Sequence, residues 1–288
     1  MSEDKTRIFT LNDGRKLGYI EYGEPNGIPI FYFHGWPGSR YSAKETEKAA
    51  IKLGARVIST DRPGIGTSTF QKKRSLLDWP NDVLELADYL IISKFSVLGV
   101  SGGGPYSAAC AYKIPNRLFN AGIVVGLAPV HIKGNLDGIP FINKLGWANY
   151  HKSKTLRHFA SLAGAIEFKY FPAISTLIAF RNKQDKALYN EIMKNRKEDE
   201  NTLAEAFRQG VTGPAEELRI YSDNWGFDLK DIRTKVYLWY GEKDKCVSVN
   251  MGRYYRKKIP KSEIFIDPNG GHLARYNYEE KIIKQLIN

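Results

Sequence analysis

Residues Phe95-Ser96-Val97-Leu98-Gly99-Val100-Ser101-Gly102-Gly103-Gly104-Pro105 carry the reading of the whole chain. The run is almost wholly apolar up to Val100, turns on a cluster of glycines, and passes into small-residue sequence, Tyr106–Tyr112. That is a buried strand, a sharp turn and a helix able to pack close to a sheet. The turn holds G-x-S-x-G. A serine on a tight strand-to-helix bend has a strained backbone, and its neighbours at −2 and +2 crowd one another. Glycine at both places, Gly99 and Gly103, removes that clash. The helix that follows aims backbone N–H groups at an anion, and Pro105 suits its first turn. Ser101 is therefore the candidate nucleophile. The alternatives fit less well: a glycine-rich turn with an incidental serine, or a dinucleotide loop, for which G-x-G-x-x-G and a place in the first βα unit are both missing.

Outward from this run the same grammar repeats. Short apolar runs bounded by turn residues occur at Ile28–Phe33, Val57–Thr60, Ser96–Val100, Ile123–Leu127, Val236–Tyr240 and Ile264–Ile266. Runs apolar at nearly every position fit strands buried on both faces, as in a parallel sheet. Helical patterns alternate with them, at Ala43–Leu53 and at Trp79–Ile91, where Val83, Leu84, Ala87, Leu90 and Ile91 recur at spacings of three and four. At the start, Asn12-Asp13-Gly14 between two β-rich stretches predicts a hairpin. The class is α/β, with a mostly parallel sheet of about eight strands flanked by helices. The alternation stops between 129 and 225, where the periodicity is helical. The expected organisation is a core of residues 1–128 and 226–288 with a helical lid, 129–225, inserted over the strand ends.

A second motif, Phe33-His34-Gly35-Trp36-Pro37-Gly38-Ser39, ends the strand Ile28–Phe33, and a third, Asp61-Arg62-Pro63-Gly64-Ile65-Gly66-Thr67-Ser68, follows Val57–Thr60. Taken in order with G-x-S-x-G, these motifs resemble the α/β-hydrolase family, in particular its lid-bearing serine hydrolases of the esterase and proline iminopeptidase branch. The resemblance covers nearly everything outside the lid. It implies an oxyanion hole made by the backbone N–H groups of Trp36 and Gly102. His34 is read as a brace for its loop and Asp61 as structural.

A serine nucleophile needs a base, and the base an orienting acid, in the family order Ser…Asp…His. Among five histidines, His272 sits in a loop just past the run Ile264–Ile266, where it can swing towards Ser101. His131, His151 and His158 read as packed or surface residues. Gly241-Glu242-Lys243-Asp244 follows the preceding run, and G-x-x-D at that strand end matches the family's acid position, giving Asp244. Glu242 and Asp267 are weaker choices.

Such a triad implies hydrolysis of a carboxylic ester of a small apolar substrate through an acyl-enzyme, with no cofactor and no metal. The resemblance also allows a proline iminopeptidase, though Trp36 stands where its loop has glycine. Lid carboxylates would then have to hold an amine, and Glu216 and Glu217 are the candidates, set against the usual solvation of such residues. It allows C–C hydrolases and perhydrolases, and outside catalysis a triad-retaining receptor for a small ligand. Dehalogenases and epoxide hydrolases carry aspartate at the position of Ser101. The lid aromatics Trp147, Tyr150, Phe159, Phe168, Tyr170, Phe171 and Phe180 suggest an apolar pocket, although most would serve the lid's own packing.

Composition agrees. With 42% hydrophobic and 26% charged residues in 288, there is material for a sizeable core. Two cysteines, Cys110 and Cys246, cannot build a disulfide framework and read as packed thiols. No apolar run reaches the roughly 20 residues of a membrane span. The opening MSEDKTR lacks the apolar region of a secretory signal, so a cytoplasmic protein is expected. The net charge of +12 is spread along the chain, which argues against a nucleic-acid arm. Lys72-Lys73-Arg74 and Arg256-Lys257-Lys258 are expected to be solvated.

Overall fold

A computed structural model describes residues 6–170, 185–188 and 197–288. Eight strands form one sheet in the order β1-β2-β4-β3-β5-β6-β7-β8. They are β1 (Arg7–Thr10), β2 (Lys16–Gly23), β3 (Ile28–Phe33), β4 (Ala55–Thr60), β5 (Phe95–Val100), β6 (Leu118–Val124), β7 (Val236–Gly241) and β8 (Ser262–Asp267). From β4 to β8 every neighbouring pair is parallel. β1 and β2 are antiparallel, joined through Gly14 at φ +86°.

Helices cover both faces, as a parallel sheet requires. On one side α2 (Trp79–Tyr89), α3 (Gly104–Lys113) and α8 (Val249–Lys258) bury Val83, Leu86, Ala108, Cys110, Met251 and Tyr255 against Phe33, Phe95 and Ile123. On the other, α1 (Glu47–Leu53) and α9 (Glu279–Ile287) close a second core around Ile30, Val57, Leu98, Ile283 and Leu286. Between β6 and β7 the described chain is helical, through α4 (Phe141–Asn149), α5 (Lys154–Tyr170), α6 (Lys197–Ala206) and α7 (Thr212–Ser222).

Two elements differ from the reading of the sequence. The helical pattern Ala43–Leu53 opens inside a 3-10 stretch, Arg40–Thr46, and its α-helix starts only at Glu47. The run Ile123–Leu127 overlaps only the end of a strand that begins at Leu118. Asn120 is buried inside that strand, with its N–H donated to Ser96 Oγ at 3.2 Å. Val125 has φ +42° and turns the chain away from the sheet. Hydropathy sees neither a buried polar residue inside a strand nor a positive φ.

The Asp61 loop is structural, as its glycines suggested. The Asp61 carboxylate accepts from Arg40 N at 2.7 Å, Arg40 Nη1 at 2.5 Å and Thr67 N at 3.1 Å. Gly64 packs against the start of α7: a Cβ on Gly213 would lie 2.1 Å from Gly64 O. The helical segment between β6 and β7 therefore seats, through α7, directly on the loop that follows β4.

Candidate active site

Ser101 ends β5 in the bend the sequence demanded. Its φ is +54°, a left-handed conformation that costs a residue with a Cβ. The glycines around it are enforced by backbone contact: a Cβ on Gly99 would fall 2.2 Å from Gly103 O, and one on Gly103 would fall 2.0 Å from Phe33 O. The chain then enters α3, whose Pro105 lies in the first turn.

The loop after β3 lies against this bend. A Cβ on Gly35 would stand 3.3 Å from Ser101 Cβ and 3.8 Å from Ser101 Oγ, and one on Gly102 would stand 3.1 Å from Trp36 Cβ. Trp36 and Gly102 are thus next to one another, beside Ser101. Trp36 is pinned from above, its indole Nε1 donating to Pro214 O at 2.9 Å.

Asp244 and His272 follow β7 and β8, at the same edge of the parallel sheet as Ser101. His272 Nδ1 is 2.7 Å from Asp244 Oδ2. The other oxygen, Oδ1, accepts from Cys246 N at 2.7 Å and Val247 N at 2.9 Å, which fixes the carboxylate plane. The Asp244 side chain is fully buried while that of His272 keeps 13% exposure, so the carboxylate is hidden and the imidazole keeps an accessible edge. Among the described residues Ser101 Oγ makes no hydrogen bond; the link from serine to histidine belongs to the proposal below.

Asp244, Cys246 and His272 bring possible metal-ligand atoms within 4.8 Å of one another. The Asp244 oxygens already serve two N–H groups and an imidazole, which makes the set a hydrogen-bonded carboxylate–imidazole pair beside a thiol. Burial pushes the Cys246 thiol well up, away from the thiolate a metal or a nucleophilic role needs.

The mostly parallel eight-stranded sheet that carries these residues has a counterpart among known proteins. The family model described as the alpha/beta hydrolase fold matches residues 28–276, most of the chain. The chain belongs to the α/β-hydrolase family. As a hydrolase-fold enzyme it is similar to a non-heme chloroperoxidase of Streptomyces lividans, 32% identical over 135 residues, covering 46% of this chain and 49% of that protein. It is also similar to a soluble epoxide hydrolase of a Corynebacterium species, 26% identical over 259 residues, 84% of this chain and 82% of that one. The chain spans about half the length of the first of these curated relatives. In structure it matches a bromoperoxidase from Bacillus anthracis with a TM-score of 0.72 at 20% identity, covering 98% of both chains. A match at that identity concerns the fold.

Around the α/β-hydrolase site, two readings of the sequence need correction. Arg74 is not solvated like Lys72 and Lys73: it is buried, and its guanidinium pairs with Glu217. Glu217 is not a solvated helix carboxylate either. It is completely buried on α7, held by Arg62, Arg74, Tyr106 and Tyr221. Burial pushes its carboxyl up, but the charges of Arg62 and Arg74 and the two phenols outweigh this and hold it down at about 2. His34 braces its loop as expected. Burial first, then the Arg62 charge, holds its pKa well below the ordinary value, so it is neutral.

One further residue escaped the sequence. Asp185, in the helical turn at 185–188, accepts from His272 N at 2.9 Å and Leu273 N at 3.1 Å, tying the histidine loop to the segment between β6 and β7. No motif marks it. His131 and His151 are exposed, and His158 is half-buried. Of the insertion aromatics, Trp147 packs edge-on against Tyr150 and Tyr221, while Phe159 and Tyr170 are largely exposed. Phe171 and Phe180 lie outside the described residues. No helix among the described residues is long and apolar enough to cross a membrane.

Proposed function

We propose that this α/β-hydrolase is a serine esterase, with Ser101 as nucleophile, His272 as base and Asp244 as its orienter, beneath a lid of residues 129–225. Supporting this above all is the His272 Nδ1–Asp244 Oδ2 contact of 2.7 Å between the loops after the adjacent strands β7 and β8, at the same end of the sheet as a serine held at φ +54° after β5. Asp244 accepts a hydrogen bond from the Nδ1–H of His272, which fixes the tautomer and leaves Nε2 free to take the proton of Ser101 as Oγ attacks an ester carbonyl. The Trp36 and Gly102 N–H groups receive the oxyanion. Collapse expels the alcohol, protonated by His272, and water activated by the same imidazole releases the acid. Hydrogen bonds of this kind are often loose before substrate arrives.

A second reading shares the acyl-enzyme and differs in its acceptor. The relatives named non-heme chloroperoxidase and bifunctional esterase/perhydrolase, the latter 30% identical over 135 residues, favour hydrogen peroxide taking the place of water, giving a peracid. Epoxide hydrolysis is disfavoured by serine at position 101. The iminopeptidase reading loses Glu217, whose carboxylate is consumed by two arginines.

The test is labelling with a fluorophosphonate, followed by turnover of aryl esters of graded acyl length with and without peroxide. Stoichiometric labelling at Ser101 and ester turnover are expected. An unlabelled, inactive but folded protein refutes the reading.

A further inference from the structure

The geometry behind the oxyanion loop points to a role for Glu217, and it rests on the esterase reading above. A trans peptide unit carries its C=O and N–H on opposite edges, so whatever fixes Gly35 O also aims the N–H of Trp36. Gly35 O is held twice. Arg62 Nη2 donates to it at 3.2 Å, and His34 Nδ1 lies 2.8 Å away. A carbonyl only accepts, so the neutral His34 carries its proton on Nδ1, and Nε2 is left to accept from Arg62 N at 3.4 Å. Arg62 Nη1 also donates to His34 O at 2.6 Å. The guanidinium therefore grips two consecutive carbonyls of the loop.

Glu217 sets both donors of the oxyanion hole from behind. Its Oε2 accepts from Arg62 Nε at 2.6 Å, which orients the guanidinium. The same oxygen accepts from the Tyr221 hydroxyl. That hydroxyl in turn closes the space beside the residue of the other donor: a Cβ on Gly102 would lie 2.7 Å from Tyr221 Oη, so only a glycine lets the Gly102 backbone sit there. Glu217 and Tyr221 sit one turn apart on α7, in the insertion, whereas Trp36 and Gly102 belong to the core. We propose that Glu217 is a positioning residue that couples the seating of α7 to the aim of the Trp36 and Gly102 N–H groups.

The cluster offers a test of sign. Two buried guanidinium groups face one carboxylate. In E217Q the positive charge behind the oxyanion site increases. Through-space electrostatics alone then speeds acylation, whereas loss of aim slows it. A lost oxyanion donor costs about 10²–10³ in kcat, and a donor displaced rather than lost is expected to cost about 10- to 100-fold. The experiment measures kcat and KM for a short-chain aryl ester and inhibition by a trifluoromethyl ketone, in wild type, E217Q and Y221F, each checked for folding by circular dichroism. E217Q is expected to lose kcat with KM held within about threefold, and to bind the ketone more weakly by the same factor as its loss of kcat/KM. Y221F, which keeps the ring, is expected to show a smaller loss of the same form and serves alone if E217Q does not fold. Folded variants with unchanged or faster kcat, or with the loss in KM alone, overturn the proposal while leaving the esterase reading standing. A wild type that neither turns over the ester nor takes up fluorophosphonate overturns both.

Discussion

Asp244 meets His272 through one carboxylate oxygen while the other is spent on two backbone N–H groups of its own loop. The acid cannot rotate without breaking three contacts, so its lone pair is delivered to Nδ1 in a fixed direction. In Asp244→Asn the amide can present N–H to the ring and stabilise the wrong tautomer. In a comparable triad that change lowers kcat about 10⁴-fold. A fall of at least a thousandfold in ester turnover, with KM little changed, is expected here. Retention of more than a tenth of the activity would remove Asp244 from its role.

Ser101→Ala removes the hydroxyl and keeps the strained backbone. The variant is expected to be as thermostable as the parent within a few degrees, to lose fluorophosphonate labelling, and to lose turnover by several orders of magnitude. Esterase activity equal to the parent's would assign the chemistry to another residue.

The glycines flanking Ser101 are constrained more severely than the serine. In Gly103→Ala the new methyl would sit 2.0 Å from Phe33 O, a backbone atom of a central strand that cannot swing aside. Overpacking of this kind costs about 1–3 kcal/mol, sometimes more. The expected result is a lowered Tm together with lost activity, since the displaced segment is the elbow itself. Gly14→Ala is the control. It meets nothing within 4 Å but has φ +86°, so it is expected to lower Tm by a smaller amount and to leave kcat alone.

Acid should weaken the seating of α7. Glu217 has a folded-state pKa of about 2 against an ordinary 4.5, so the unfolded chain takes up the proton first. The stabilisation is complete above pH 4.5 and is lost as pH falls towards 2. Scanning Tm between pH 6 and pH 2 is expected to show a steeper decline in the wild type than in E217Q, which has no proton to gain at that position. Parallel curves would mean the carboxylate adds nothing.

Much of this molecule was legible in its residues because close packing leaves a signature. Gly99 and Gly103 must be glycine for backbone reasons, and the apolar runs of β3, β5 and β7 must be buried on both sides. The loops carrying Asp244 and His272 followed from those strands. Pairing between charges far apart in sequence was not legible. Arg62, Arg74 and Glu217 have the composition of a surface, and only the fold brings residues 62 and 217 within 2.6 Å. Asp185 was hidden for the same reason, since it recognises main-chain N–H groups and leaves no side-chain pattern. The start of β6 was missed because a polar residue, Asn120, is buried inside it and an apolar one, Phe119, is exposed.

The burial of Glu217 between Arg62 and Arg74 also bears on how this architecture can be recombined. A chimera that exchanges the segment between β6 and β7 for that of another hydrolase would strand two guanidinium groups in a dry interior unless the donor brings its own anion to the same spot. The unit that can be transplanted is therefore the helix Thr212–Ser222 together with Arg62 and Arg74, and a crossover point chosen from the strand boundaries alone would cut through it.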